Sequence, residues 1–407
     1  MEESEGQMMN YLSTYLAHHP HKQVALLSSD LEKDTLEILR DTSVVLIDKE
    51  SDILLIHDYL PNNDDLYDVL STLKYDTVLL YYKKGTIDYF KAWEILRYST
   101  NHIRIVLEKE ERKRDILIWN KDKNNDLEIS VIFPVYNVGK YIKQCIETVT
   151  EWKAPYIEYI FVSDGSKDES VDIIKEAMKH DSRIKLIEKE NGGCASARQV
   201  GLDAAKGRYV GFIDPDDFID PSMYKKLLER ALMGDMDITV CGYNEYYNLT
   251  NTHKPVPDMI GFPYTWGLYT RNDIDPFIAY LRIGIWRGIY KRQMILDNGI
   301  HFYLDLPRYD DLPFKVETLA VANKIATVDE HLYFYRLDRE GQDVGANDKK
   351  LFVHFDIFKH LDEFFKDRSD NQKYYYSIVK RDTHNWALSK LKKEYVKEYT
   401  QMMKEAK

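Results

Sequence analysis

Cysteine is scarce in this chain. The 407 residues contain three, Cys145, Cys194 and Cys241, too few and too scattered for a disulfide framework or a zinc site. A reducing, cytoplasmic compartment is the simplest setting for them. No apolar run approaches the roughly 18–20 residues that span a bilayer. The opening Met1–Gln7 is acidic and has neither the basic nor the apolar region of a secretory signal, so none is expected. A basic excess is also missing. Lys and Arg total 56 against 68 Asp and Glu, a formal net charge of -12, which argues against a protein that coats nucleic acid. A small anionic ligand stays open, because local cations or a metal can hold one inside an acidic shell. Glycine is nearly absent early on. Gly6 and Gly85 alone precede residue 129, and neither follows the first apolar run. A phosphate-cradling loop, which needs closely spaced glycines, is thereby excluded from that region. There is no internal repeat and no low-complexity block.

What is present is ordinary for a folded protein, 44% hydrophobic and 30% charged residues. At roughly 100–200 residues per domain the length predicts two or three domains. The 31 tyrosines match an aromatic sugar-binding surface and match a Lys/Tyr/Ile-rich composition equally well. Residues 1–120 alternate apolar runs (Val24–Ser28, Val44–Asp48, Ile53–His57, Thr77–Tyr82, Ile103–Leu107) with a helical pattern at Leu66, Val69, Leu70 and Leu73. This predicts a small α/β domain with a mainly parallel sheet. Residues 108–128 are charged or Asn for most of their length and read as a linker, with 121–128 as the boundary.

From residue 129 the alternation becomes regular. Strand Ile129–Phe133 is followed by a helix with Tyr141, Ile142, Cys145, Ile146, Val149 and Trp152 on one face. Strand Tyr159–Val162 follows, then a helix opened by a capping box of Ser166 and Glu169. Strand Ile184–Ile187, a helix over 194–206, strand Tyr209–Ile213, a helix over 222–233 and strand Ile238–Cys241 complete a βα series. The expected fold class is α/β, a Rossmann-like open sheet that binds ligands at the carboxyl ends of its strands. Residues 244–275 read as a long irregular loop. Residues 346–407 read as a helical extension, with one stripe at Leu351, Phe355, Phe358 and Leu361 and another at Leu388, Leu391, Tyr395, Tyr399 and Met402.

Three segments end strands on what would be one rim: Phe133–Asn137, Val162–Ser166 and Phe212–Asp217. Each alone is also a plain turn. Asp214-Pro-Asp216 sets carboxylates at i and i+2, on the same side of an extended segment. That spacing suits Mg²⁺ or Mn²⁺, which take carboxylate and phosphate oxygens, and it equally describes a solvated acidic turn. Asp217 would cap the next turn.

Residues 129–345 resemble family 2 glycosyltransferases with a GT-A fold. The resemblance is carried by Phe133-Pro-Val-Tyr-Asn137, Val162-Ser-Asp-Gly-Ser-Lys-Asp168, Asn191-Gly-Gly-Cys-Ala-Ser-Ala-Arg198, Gly211-Phe-Ile-Asp-Pro-Asp-Asp217 and Arg308-Tyr-Asp-Asp-Leu-Pro-Phe314. It implies an inverting, metal-dependent transfer from a nucleotide-sugar, most often UDP-linked, to a hydroxyl of a surface-glycan, teichoic-acid or glycoprotein acceptor, lipid-linked or not. In that likeness Pro134, Val135, Tyr136, Asn137 and Asp164 frame the nucleoside. Lys189, Asn191, Gly192, Gly193 and Arg198 line the donor cleft, with Asp214 and Pro215 beside them. Asp216, with Asp214, holds Mn²⁺ or Mg²⁺. Asp311 removes the acceptor proton, with Asp310 beside it in place of the family's usual glutamate. Two adjacent carboxylates can raise one pKa toward neutrality, and aspartates also favour a helix N-terminus.

Arg336, in Tyr333-Phe-Tyr-Arg336, would reach the diphosphate. The His and Ser that often follow that Arg are replaced by a region holding Asp338 and Asp343, with His331 as a substitute ligand or a structural residue. Trp286 is a candidate acceptor wall or a core residue. A Gln-x-x-Arg-Trp motif and trailing membrane spans, both expected of processive synthases, are absent, so addition of one or few sugars is expected. The loop of a sugar-nucleotide pyrophosphorylase is absent too. The alternative is an inactive GT-A-like scaffold in a glycan-assembly complex. The remaining expectations are an enzyme that is cytoplasmic and peripheral at the inner membrane face, an accessory role for residues 1–120 in docking a partner enzyme or a second copy, and no nucleic-acid partner.

Overall fold

A computed structural model describes residues 44–45, 53–57, 77–83, 89–97, 102–108, 114–120, 126–257, 267–338 and 346–405. The expected strand Val24–Ser28, the helical stripe Leu66–Leu73 and Asp343 lie outside them. The chain divides into two compact units, Met1–Asn124 with Leu232–Asp235, and Asn125–Ala231 with Met236–Lys407.

In the first unit, strands β1 (Val44–Val45), β2 (Ile53–His57), β3 (Thr77–Lys83), β4 (His102–Glu108) and β5 (Arg114–Asn120) form one sheet in that order. β2, β3 and β4 are parallel, and β1 and β5 are antiparallel edges. Helix α1 (Tyr89–Leu96) buries Phe90, Ala92, Trp93 and Leu96, and Trp93 meets Trp119 of β5 edge-on. The charged stretch after residue 107 is therefore not all linker. Its charges obscured Ile116-Leu-Ile-Trp119, an apolar run long enough to pair with β4.

The second unit is built on a ten-stranded sheet. Its elements in chain order are β6 (Ile129–Val135), α2 (Gly139–Thr150), β7 (Ile157–Asp164), α3 (Ser170–Met178), β8 (Ile184–Lys189), α4 (Cys194–Ala204), β9 (Tyr209–Phe212), β10 (Phe218–Ile219), α5 (Met223–Leu232) and β11 (Ile238–Tyr247). Next come β12 (Thr252–Pro255), β13 (Leu268–Thr270), α6 (Arg271–Tyr280), β14 (Gly288–Lys291), α7 (Arg292–Asp297), α8 (Asp311–Val321) and β15 (Lys324–Leu337). Helices α9 (Val353–Phe365), α10 (Asp370–Lys390) and α11 (Lys393–Glu405) end the described chain.

β9, β6, β7 and β8 are parallel neighbours. β6 and β7 are buried along their whole length, as strands covered on both faces must be. Gly201 of α4 lets that helix lie directly on Ile132 of β6; a Cβ there would collide with the isoleucine. The series then departs from a simple βα repeat. β11 does not pair with β9. The antiparallel β14 lies between them, and β15 runs parallel to β11 on its far side.

Other expectations change as well. No capping box forms at Ser166 and Glu169. α3 starts at Ser170, and Ser166 Oγ instead accepts from Asn137 N–H and donates to Val135 O. Residues 244–275 hold the end of β11, β12, β13 and the start of α6 among the described residues. The last apolar stripe is cut in two, because α10 ends at Lys390 and α11 restarts at Lys393. Among the described residues no helix is long and apolar enough to cross a membrane.

The core beside the future site is aromatic. Phe302 and Phe314 stack with centroids 4.6 Å apart, and Phe212 meets both edge-on at 5.3 and 5.2 Å. Burying each such ring contributes about 1.5–3 kcal/mol. The cluster fastens α8 and the loop before it to the carboxyl end of β9.

Candidate active site

The carboxyl ends of β6, β7 and β9 open on one cleft, a cavity of ≈ 470 Å³. Pro134, Val135 and Tyr136 leave β6 into it, Asp164 ends β7, and Asp214, Pro215 and Asp216 follow β9. Asn191, Gly193 and Arg198 come from the start of α4, Trp286 from the turn before β14, and Asp310 and Asp311 from the start of α8. The three strand ends of the sequence analysis and the two distant aspartates thus share one space.

Asp164 organises one wall of the cleft. Its Oδ1 accepts from Gly192 N–H at 2.9 Å and Lys189 Nζ at 2.5 Å, and its Oδ2 accepts from Gly193 N–H at 2.8 Å. Asn191 Nδ2 donates to its backbone oxygen. The loop can turn this sharply because Gly193 has φ 89°, a region that costs other residues energy. Lys189 and Gly192 therefore hold the wall rather than line it. Asn137 also stands outside the lining. It adopts φ 52°, and its Oδ1 accepts from Lys167 N–H. Gly193 is the cap of α4, so the positive end of that eleven-residue helix faces the cleft, a placement that favours an anion.

Arg198 spans the floor. It is buried, with one guanidinium nitrogen 2.6 Å from Asp214 Oδ1 and the other 2.8 Å from Asp310 Oδ2. Burial opposes its charge, but Asp310 and Asp214 outweigh that and hold the guanidinium more firmly protonated than usual. Asp310 is thereby held in an ion pair, while Asp311 is not paired in this way. Burial pushes the Asp311 carboxyl up to about 6, Arg198 pulls it down, and Asp310 and Asp214 push it up again. The adjacent carboxylate contributes as the sequence implied, but desolvation is the larger cause. Both aspartates follow Tyr309, whose φ of 56° is costly for an aromatic residue and typical of functional sites.

The segment Asp214–Asp216 is braced from behind. Asp217 is buried and accepts from Tyr333 Oη at 2.6 Å and from Arg336 N–H at 2.7 Å. It is a strut to β15, and burial with the neighbouring Asp216 and Asp214 pushes its carboxyl far up. Arg336 does not line the cleft. Its Nε donates to Asp216 O, and its two terminal nitrogens donate to Asn248 Oδ1 and Gln144 Oε1. Tyr335, its neighbour on the strand, takes the place in the lining. His331 is likewise outside the lining; its ring would meet any Cβ at Gly242.

Trp286 packs as a core residue and also lines the cleft. It is 7% exposed and stacked on Tyr333 at 4.1 Å and Tyr335 at 5.6 Å, yet it forms part of the cleft wall. Val138, Cys194, Ala197, Pro307, Arg308, Tyr309 and Tyr335 also line the cleft, beyond the residues expected from the sequence. Arg308, Tyr309 and Tyr335 lie inside segments already singled out, so adjacency was the available signal.

The carboxylates offer only hard oxygens. Among the described residues no three His, Cys, Asp or Glu side chains form a metal site by themselves. Mg²⁺ and Mn²⁺ take one or two carboxylates and complete their shell with water and phosphate oxygens, and Asp216 with Asp214 fits that requirement.

The model of glycosyl transferase family 2 matches residues 130–295, a span that stops before Asp310. The glycosyltransferase GlyG of Streptococcus pneumoniae serotype 4 is 30% identical over 218 residues, 51% of this chain and 70% of GlyG. The chain belongs to glycosyltransferase family 2. It is also 32% identical over 212 residues to the uncharacterized glycosyltransferase EpsJ of Bacillus subtilis, 51% of this chain and 60% of EpsJ. For the curated relatives it first matches, this glycosyltransferase spans 60–64% of their length. A crystal structure of residues 1–349 of S. aureus TarS in complex with UDP-GlcNAc superposes with a TM-score of 0.54. It covers 66% of this chain and 77% of that one at 23% identity. The fold of the second unit is thus the GT-A fold.

Proposed function

We propose that this glycosyltransferase moves a sugar from a UDP-linked donor to an acceptor hydroxyl with inversion, and that Asp311 is the base. The carrying observation is the contrast between two adjacent carboxylates. Asp310 is locked to Arg198, while Asp311 is half-buried in the cleft wall with its carboxyl pushed up to about 6. A base with that affinity is ionised at neutral pH and holds a proton better than an ordinary carboxylate.

The acceptor oxygen attacks the anomeric carbon as the bond from that carbon to the diphosphate oxygen breaks. The hydroxyl proton passes to Asp311, and the electron pair of the broken bond leaves with UDP. The residues around Asp164 seat the nucleoside, the amino end of α4 faces the diphosphate, and Trp286 forms the wall on the sugar or acceptor side. A divalent cation, Mn²⁺ or Mg²⁺, held by Asp216 and Asp214, would supply positive charge against the leaving diphosphate. Arg336 keeps the backbone of Asp216 fixed from outside the cleft. The TarS structure bound to UDP-GlcNAc supports a UDP-sugar donor, and UDP-GlcNAc heads the panel to be tried.

The test is UDP release from a panel of UDP-sugars with Mn²⁺ present. Turnover of at least one donor, lost in Asp311→Asn when an acceptor is supplied, is expected. Neither turnover nor UDP binding with any donor would mean an inactive scaffold.

A further inference from the structure

A second cavity of ≈ 450 Å³ adjoins the donor cleft through two residues common to both linings, Pro307 and Arg308. These directly precede Tyr309, Asp310 and Asp311. The rest of its wall comes from the carboxyl-terminal helices: Lys349 and Lys350 in the short turn before α9, Phe352 and Phe355, and Met402 of α11. Its charge runs against that of the molecule. Arg308, Lys349 and Lys350 face one carboxylate, Asp356, in a chain with a net charge of -12. Lys350 is exposed, and Lys349 reaches Glu398 at 2.9 Å in a half-exposed pair that solvent screens. The donor cleft beside it carries five carboxylates, Asp164, Asp214, Asp216, Asp310 and Asp311. In the second cavity three cations against one lining carboxylate favour an anion.

We infer that this cavity is the acceptor subsite and that it selects an acceptor carrying an anionic group, phosphate or carboxylate, beside the reacting hydroxyl. The inference rests on the glycosyl-transfer reading of the cleft. Arg308 and the two lysines hold the anion, Phe352, Phe355 and Met402 cover the apolar face of the acceptor, and Arg308 links the cavity to the loop that presents Asp311.

The experiment compares three acceptors of similar length: a glycerol-phosphate oligomer, a glucuronate-containing oligosaccharide and a neutral glucose oligosaccharide. Acceptor KM and equilibrium binding are measured at low and at physiological salt. The proteins are the wild type, the Lys349→Ala/Lys350→Ala double variant and Lys350→Glu. The expected result is preference for an anionic acceptor over the neutral one, and a rise in its KM or Kd of about tenfold in the double variant, equivalent to about 1.4 kcal/mol. Added salt has the same direction of effect, and the neutral acceptor is indifferent to both changes. Response to phosphate alone or carboxylate alone assigns the group. Equal use of the neutral acceptor, indifference of the anionic ones to both lysine variants, or no binding of either anionic chain to the wild type overturns the inference. A UDP titration of the wild-type protein, without acceptor, tests the donor reading separately.

Discussion

Replacing Asp311 by Asn should remove activity and make the protein more stable. The wild-type carboxyl is raised from its ordinary value near 3.9 to about 6, chiefly because its charge is desolvated. Each unit corresponds to about 1.4 kcal/mol, so ionised Asp311 costs the folded state up to about 3 kcal/mol at neutral pH. The group is half-buried, and solvent screening brings the expected gain from Asn to about 1–2 kcal/mol.

The sign follows from proton binding. The folded state holds this proton more tightly than the unfolded chain, so the cost is full above about pH 6. It shrinks as pH falls from about 6 toward about 4, where both states become protonated. The assay is thermal unfolding of wild type and Asp311→Asn at about pH 7.5 and about pH 5. At about 2–4 °C per kcal/mol for a domain of this size, the variant should melt several degrees higher at the upper pH and by clearly less at the lower. UDP affinity should stay within a few-fold of wild type. A melting gain equal at both pH values, or no gain at pH 7.5, would refute the argument that Asp311 is a strained, desolvated base.

Asp216→Asn should lower turnover by orders of magnitude while melting like the wild type, since the amide cannot supply the charge that balances the diphosphate; near wild-type turnover in EDTA would sink the metal role. The transfer rate at subsaturating substrate should fall about tenfold per pH unit below about 6 as Asp311 takes up its proton; a rate that stays flat to pH 5 contradicts the base assignment. Arg336→Ala leaves Asp216 O, Asn248 and Gln144 without their buried donor, and should cost about 1–3 kcal/mol. Its lesion would appear as lost stability together with lost activity, and a stable, inactive variant would return Arg336 to direct ligand contact. A fragment of residues 125–407 should fold and bind UDP; failure to bind while folded would give residues 1–124 a part in the donor site.

β6, β7 and β9 were legible because they are buried along their whole length and read as unbroken apolar runs. The same property puts Pro134–Asn137, Asp164 and Asp214–Asp216 on one rim. β14 was not legible. Gly288-Ile-Tyr-Lys291 is four residues long, too short for a periodicity to show, and its place between β9 and β11 depends on pairing with residues about 50 and 80 positions away. β5 was hidden by charge on both sides of a short apolar run. Arg336 was placed by adjacency to a known segment, but on a strand neighbouring side chains point to opposite faces, and Tyr335 took the inward one. The Arg198 link between Asp214 and Asp310 joins residues separated by 16 and 112 positions, a distance no local pattern spans.

The interposed β14 has an evolutionary corollary. It bonds to β9 and β11 but to none of β6, β7 or β8, and the turn that precedes it delivers Trp286 to the cleft. That segment is tightly constrained: a Cβ at Gly288 would meet the backbone oxygen of Thr239, and Ile289 and Tyr290 are buried between the two strands.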